Sequence, residues 1–453
     1  MHVDATIYAS KSINLEASAV QQLTDGASIP TVRRALATPD IHQGYGVPIG
    51  CVLGMENVVV PAAVGFDINC GMRVLTTNLH ASDVNLDLLA TSTRRDIPLG
   101  EGKSNIRVSF SDLDTVLADG VRGLARIKHS GHRVWEAWNS AAEKIRSNRI
   151  EDNGSMKGDP SAVSNYSKQR GMDQLGTLGG GNHFVEFQIV QSIKDNRIAQ
   201  RFGLFDGQLL VMIHSGSRGL GHQVGSEYMK IAQKMASGKS PVSYLDLDSK
   251  EGKAYVGAMQ AAANYAFVNR HLMGLLVEKN LLYHHHNAKI NLLYDVPHNI
   301  AKFEHHEGKM LLVHRKGATR AFGPRRMKNT SFGDTGQPVL IPGSMGTSSY
   351  ILSGVDTKSK NLASVNHGAG RVMSRTAARG KWKGKKMIRP PAISDRDFAE
   401  SMDGVLLICE SKRGIREEAP QAYKNIDLVM DTVLGAELAN AVVKTRPLAV
   451  LKG

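Results

Sequence analysis

The sequence predicts a mixed α/β fold, a single large catalytic body with central β-sheets flanked by helices, and three observations lead there. Short apolar runs that stop at turn residues recur at 57–60, 209–213, 310–313, 338–341 and 404–408, a length that suits buried strands. Between them, 254–279 places Tyr255, Met259, Ala262, Ala263, Ala266, Val268, Leu272, Leu275 and Leu276 too densely for an exposed helix, so a largely buried one is expected. Finally, no internal repeat and no Pro- or Ser-rich linker divides the 453 residues, which exceed the usual size of one core. Residues 1–453 are therefore read as one catalytic unit. Its polar stretch 147–171, containing Glu151-Asp152-Asn153-Gly154-Ser155, is the best candidate for a mobile insertion, and a further helix is expected over about 421–441.

Charge narrows the partners. Lys and Arg number 56 against 42 Asp and Glu, a formal net charge of +14, which favours a polyanionic partner such as nucleic acid, although a merely basic enzyme would show the same balance. Two clusters stand out: Arg371, Arg375, Arg379, Lys381, Lys383, Lys385, Lys386 and Arg389, and Arg315, Lys316, Arg320, Arg325, Arg326 and Lys328. Each suits a nucleic-acid backbone track, although any one basic run also suits a solvated face. The three cysteines, Cys51, Cys70 and Cys409, are too few and odd in number for a disulfide framework. No apolar run approaches about eighteen residues and the first residues lack a basic-then-apolar leader, so a cytoplasmic protein without membrane association is expected.

The stretch Ser364-Val365-Asn366-His367-Gly368-Ala369-Gly370-Arg371 reads as a phosphate site at the start of a helical pattern. Its glycines let an anion approach backbone N–H groups, a helix start adds partial positive charge, and Arg371 offers a forked donor. A glycine-rich turn holding a buried histidine is the plainer alternative. A second loop, 341–349, carries Pro342, Gly343, Ser344, Met345 and Ser349. It could cradle a nucleotide or be a serine-capped hairpin, and it lacks the Gly-Lys-Ser/Thr element of a P-loop.

Four separate turns carry candidate metal ligands. Asp67 and Cys70 lie three apart between Gly65 and Gly71; His183 follows three glycines; His214 ends an apolar run; His298 follows Pro297. Glycine and proline turns let such side chains converge. An O, S and N donor set suits Mn²⁺, Zn²⁺, Co²⁺ or Fe²⁺ better than Mg²⁺ or Ca²⁺. Should two ions bind, the Cys70 thiolate is the natural bridge. The run His284-His285-His286 is discounted, because adjacent imidazoles cannot all face one centre.

In chain order, Pro39-Asp40-Ile41-His42-Gln43-Gly44-Tyr45-Gly46, 65–73, 178–186, 214–221, Pro297-His298-Asn299, Arg315-Lys316-Gly317-Ala318, 342–349, 367–371 and Lys452-Gly453 resemble the RtcB family of RNA-splicing ligases over nearly the whole chain. The resemblance implies joining of an RNA 2′,3′-cyclic phosphate or 3′-phosphate end to a 5′-hydroxyl end, with GTP and two Mn²⁺ ions, in RNA splicing or repair. By that resemblance His367 is the histidine that becomes guanylylated, ahead of an RNA 3′-guanylate intermediate. Asp67, Cys70 and His183 match the ligands of one metal, and Cys70, His214 and His298 those of the other. Asn182, His183, Phe184, Val185, Glu186, His298, Asn299, Pro342, Gly343, Ser344, Met345, Ser349, Gly368, Ala369, Gly370, Tyr423 and Lys452 match positions around the guanylate. Arg218, Lys316 and Arg371 resemble the basic positions around the reacting phosphates. The implied partners are RNA ends, transfer RNA among them, and the archease-like activator that some family members need. Two positions depart from the family pattern: Met72 stands for a commoner valine, and Asn366 for a cysteine or serine.

Two other functions fit parts of the pattern. A dinuclear metal phosphoesterase would use the same Asp, Cys and His ligands but leaves His367 and its glycines unexplained. A non-catalytic RNA-binding paralogue would suit the basic clusters alone.

Overall fold

A computed structural model describes residues 2–129, 131–236, 240–357, 360–383, 386–411 and 414–453. Its central sheet runs, strand beside strand, Pro338–Ile341, Ser349–Gly354, Ala439–Lys452, Phe184–Ile193, Gln208–Ser215, Gly71–His80 and Ile290–Pro297, with Leu406–Cys409 added parallel to Ala439–Lys452. All other neighbours in it are antiparallel. Antiparallel pairing sets the start of one strand beside the end of the next. Phe184 thus lies opposite His214, His214 opposite Met72, Gly71 opposite Pro297 and Lys452 opposite Phe184. One sheet edge therefore gathers residues far apart in sequence, and the site is built there.

Alternation along the strands divides the interior in two. Val211 and Ile213 enter the core that holds the long helix, while Leu210 and Met212 enter the core on the opposite face. That helix is Lys250–His284, begun by Ser249, whose hydroxyl accepts from the Gly252 N–H. Buried residues cover it on every side from Ala258 to Val277, as expected of a helix sealed between a sheet and other helices. Each fully buried Leu, Val or Phe side chain contributes about 1.5–3 kcal/mol.

A second sheet of Ala5–Ile7, Val32–His42, Ile49–Met55, Lys309–Lys316 and Asn299–His306 stands beside the first. The chain crosses from one to the other at His298, between Ile290–Pro297 and Asn299–His306. A ribbon of Ala318–Arg320 and Ser364–Asn366 then delivers His367 to the same place.

The expected apolar strands are present as Val58–Val59, Gln208–Ser215, Lys309–Lys316, Pro338–Ile341 and Leu406–Cys409. Two expectations need correction. The helix over 421–441 is only Ile426–Gly435, capped by the Asn425 side chain; Pro420–Ala422 forms a separate 3-10 turn that ends at the extended Tyr423, and the sheet claims the later residues as Ala439–Lys452. No helix begins at Arg371 either. Gly370 has φ +77, a β-bridge joins Arg371 to Tyr423, and the next helix is the short Arg375–Arg379. The 147–171 stretch is tied in at Glu151, which is buried and ion-paired with Lys302 and Arg320. Among the described residues no helix is long and apolar enough to cross a membrane, and Cys51, Cys70 and Cys409 form no disulfide.

Candidate active site

Strand register brings the five candidate metal ligands into one buried cluster. Cys70 Sγ lies 3.3 Å from His183 Nε2 and 3.2 Å from His214 Nε2. His214 Nε2 lies 3.2 Å from His298 Nε2, and His183 Nε2 lies 2.9 Å from Asp67 Oδ2. Proton placement makes this arrangement informative. His183 Nδ1 is 3.0 Å from the Leu178 carbonyl and His214 Nδ1 is 3.0 Å from the Asn182 carbonyl. A carbonyl only accepts, so both Nδ1 atoms carry hydrogen and both Nε2 lone pairs face inward.

Burial, reinforced by neighbouring imidazole charge, pushes His214 and His298 well below the usual histidine range. Burial and the adjacent Asp67 charge push the Cys70 thiol well above its own. Burial opposes ionisation of Asp67, and only a positive charge at His183 Nε2, a proton there or a cation in its place, outweighs it and holds the carboxyl below the ordinary range. A lone thiol proton can satisfy only one of these contacts. Acceptors converging without donors call for a cation, and the residues fit one.

Glycine matters most at Gly179, where φ is +98 and a β-carbon would sit 2.2 Å from Arg218 Nη1 and 2.7 Å from His183 Nδ1. The bare backbone lets both side chains pass. Arg218 is itself in the left-handed region at φ 54, with its buried guanidinium donating to Thr177 Oγ1 at 3.1 Å.

His367 adjoins the cluster, its ring centroid 5.0 Å from that of His298. Sequence reasoning gave no role to the residue that holds it. Asp40 is fully buried; its Oδ2 lies 2.6 Å from His367 Nδ1 and accepts from the His367 backbone N–H at 3.2 Å. Thr38 donates to Asp40 Oδ1 at 2.6 Å. Burial raises Asp40, yet bonding to His367 outweighs it and holds the carboxyl below its usual range. The available signal was a carboxylate within an apolar strand, Val32–His42, which must find a buried partner.

One cleft contains His367 together with His214, Asn182, Phe184, Pro342, Gly343, Ser344, Met345, Gly368, Ala369, Gly370, Arg371, Tyr423 and Lys452. Other expected residues stand behind its wall. Val185 points into the core. Glu186 is buried, accepts from Gln188 at 2.6 Å, and is raised by burial to about 7. The Ser349 hydroxyl accepts from the Gly343 N–H at 3.1 Å. Asn299 ties turns together, donating to the Asp67 carbonyl and accepting from the Gly317 N–H at 2.8 Å.

The cations differ in their freedom. Arg371 donates to Glu418, the Tyr423 hydroxyl and the Glu417 carbonyl, so its fork is already engaged. Tyr423 in turn donates to Glu418, a residue the sequence did not single out. Lys316 donates to the Tyr45 and Val47 carbonyls at 2.6 and 2.9 Å, and burial lowers it to about 8. Lys452 is buried 3.8 Å from Glu418. Of the basic run, Arg375 and Arg379 pair with Glu417, and Lys385 lies outside the described residues.

Comparison with known proteins places the chain in a family. A family profile described as tRNA-splicing ligase RtcB matches residues 22–453. The chain belongs to the RtcB family. Among curated members named tRNA-splicing ligase RtcB, it is 41% identical to that of Thermococcus kodakarensis, over 96% of this chain and 91% of the relative. It is 41% identical to that of Archaeoglobus fulgidus, over 100% and 95%, and 40% identical to that of Nanoarchaeum equitans, over 100% and 96%. RNA ligase is the enzyme class that RtcB membership assigns.

Proposed function

We propose that this chain joins an RNA 3′-phosphate or 2′,3′-cyclic phosphate end to a 5′-hydroxyl end in RNA splicing or repair, consuming GTP and requiring manganese. The observation that carries the reading is the position of His367, held through Nδ1 by Asp40 where the glycine-lined cleft meets the ligand cluster. Asp40 fixes the tautomer, leaving the Nε2 lone pair for attack. Nε2 bonds to the α-phosphorus of GTP as the bond to pyrophosphate breaks, and Asp40 balances the positive charge on the ring. A 2′,3′-cyclic end first takes up one water, which breaks the P–O2′ bond and leaves a 3′-phosphate and a 2′-hydroxyl; an oxygen of the RNA 3′-phosphate then displaces the histidine, giving an RNA 3′-guanylate and restoring His367. The 5′-hydroxyl oxygen attacks the 3′-phosphate and GMP leaves.

Asp67, Cys70, His183, His214 and His298 would hold two Mn²⁺ ions, which supply neutralisation of the phosphate oxyanions. In this reading Asn182, Phe184, Pro342 to Met345, Gly368 to Gly370, Tyr423 and Lys452 enclose the guanylate. Glu186, Ser349, Asn299 and Val185 support it from behind, and Arg218, Lys316 and Arg371 set the local positive charge. Ligands, nucleophile and Lys452 come from across 67–452, so residues 1–453 act as one catalytic unit.

Incubation with α-labelled GTP and Mn²⁺ should give an acid-labile protein adduct, and defined RNA termini should then be joined. His367→Ala should still bind GTP and metal yet form no adduct; label persisting on that variant removes His367 from the role. A metal phosphoesterase or a binding protein gives no adduct in any form.

A further inference from the structure

From Arg371 to Ser394 the chain holds eight Lys and Arg and no Asp or Glu. The first three cations are engaged, Arg371 with Glu418 and both Arg375 and Arg379 with Glu417. Beyond them the chain leaves the body as a two-stranded antiparallel ribbon, Lys381–Lys383 beside Lys386–Arg389. Its root is firm. Ala378 and Ile393 are buried on either side of it, and the Ala392 N–H donates to the Ala377 carbonyl at 2.9 Å. Gly380, at φ +77, turns the chain out of the helix Arg375–Arg379, and a β-carbon there would meet the Arg389 carbonyl oxygen at 2.6 Å. Every residue of Lys386–Arg389 is exposed, Met387 and Ile388 included, so both faces of this strand are open to solvent.

Such a ribbon is a poor structure by itself. Two-stranded hairpins are marginal in water, and like charges directly opposite each other weaken them further. Lys381 stands opposite Arg389, and the backbone register sets Lys383 opposite Lys386. Among the described residues, Lys381, Lys386 and Arg389 pair with no carboxylate. Lysines on an exposed strand also discourage aggregation, but that task calls for no like charges in register. A polyanion laid along the ribbon turns this repulsion into attraction.

We infer that the ribbon is an arm for base-paired RNA: it lies across the mouth of the major groove of a stem flanking the break, with Lys381, Lys386 and Arg389 on phosphates. The major groove of A-form RNA is too deep and narrow for side chains to read, but a row of phosphates runs along each of its edges. A ribbon with cations on both strands meets both rows. The arm therefore recognises backbone and shape and no base sequence. Its root is the helix whose Arg375 lines the guanylate cleft, and four residues of extended strand reach about 10 Å outward. Contact falls on the body of the RNA, beyond the nucleotides being joined. The arm rests on the ligase reading for its RNA, but its test depends on neither guanylylation nor a free RNA end.

The full chain is titrated, without GTP or Mn²⁺, against an RNA stem of about 16 base pairs closed by loops at both ends, and against an unstructured circular RNA with as many phosphates. Combining Lys381→Gln, Lys386→Gln and Arg389→Gln should cost about ten- to a hundredfold in affinity for the stem, and the slope of log affinity against log salt should shrink by about 2–3. Affinity of that variant for the unstructured RNA should fall by less than about threefold. Its thermal unfolding and its label transfer from GTP to His367 should match the unaltered protein, and Lys381→Arg with Lys386→Arg should keep full affinity for the stem. An unchanged salt slope for the stem in the glutamine variant overturns the arm. So does an equal loss for the unstructured RNA, which would make the ribbon a single-strand site. Polyglutamate bound as tightly as the stem, charge for charge, would assign the ribbon to an acidic protein and overturn it too. Should the stem bind through the ribbon while the unaltered chain transfers no label and joins no ends, the ligase reading fails and the arm stands.

Discussion

Asp40 shows how a single buried carboxylate can decide what a histidine does. Without it, the proton of His367 could sit on either nitrogen; with Oδ2 2.6 Å from Nδ1, the lone pair is confined to Nε2. Asp40→Asn preserves shape but removes the charge that balances a cationic ring. It should slow guanylate transfer by about 10²–10⁴ while leaving GTP binding nearly intact, as single-turnover label transfer can read; an unchanged rate would make Asp40 a packing residue. Glu186 yields a pH effect. Burial raises its carboxyl from about 4.5 to about 7 in the fold, partly countered by Gln188 and Lys452. A raised acid favours the folded state fully below its unfolded value, and that contribution is lost as pH rises through the folded value. Glu186→Gln should therefore gain on the unaltered protein between about pH 4.5 and 7, by on the order of 1–3 kcal/mol above pH 7. Denaturant titrations at pH 5 and pH 8 measure this, and parallel losses in both proteins would refute it.

At the level of elements, the ligand-bearing turns are held from below by the long helix. Arg270, fully buried on Lys250–His284, donates to the Asn69 carbonyl at 2.6 Å, to Asn69 Oδ1 at 3.0 Å and to the Ser215 carbonyl at 3.0 Å, and it pairs with Asp295 at 2.8 Å. It thus clamps the turn carrying Cys70 to the strand end carrying His214. Arg270→Met leaves Asp295 with only Arg73 and should cost about 3–5 kcal/mol of stability. Divalent-metal affinity should fall by about 10–100-fold, as for other residues that orient ligands. Calorimetric titration with Mn²⁺ tests it; unaltered affinity in a folded variant would show that the turns hold themselves. Such a clamp is illegible in sequence, because an arginine among Phe267, Val268 and Leu272 looks like a solvated position on a helix. The ligand turns were legible for the opposite reason: Gly65, Gly71, three glycines before Asn182, and Pro297 each mark a chain reversal next to a donor. Local pattern failed at 421–441, where the sheet rather than helical propensity claimed Ala439–Lys452.

For the whole molecule, the consequence of building a site at the meeting of two sheets is that ligand binding and folding become one equilibrium. Asp67 and Cys70 precede Gly71–His80, His183 precedes Phe184–Ile193, His214 ends Gln208–Ser215, and His298 joins the sheets. An unfolded chain holds these donors far apart, so a cation that binds the native cluster stabilises the entire fold rather than one loop. Relief of the inward-facing lone pairs is one source of that affinity and is already counted in the dissociation constant. Mn²⁺ at about a hundred times its dissociation constant should stabilise the protein by about 2.7 kcal/mol, and a chelator should reverse the gain. Cys70→Ala should abolish most of the shift because its sulfur touches both His183 and His214. His367→Ala should keep the shift, because His367 lies beside the cluster without belonging to it. Thermal unfolding of the three proteins with Mn²⁺ and with chelator separates these outcomes. A shift equal in Cys70→Ala and in the unaltered chain would mean that the ion binds elsewhere, and the five side chains would then be a buried polar network with no metal to hold.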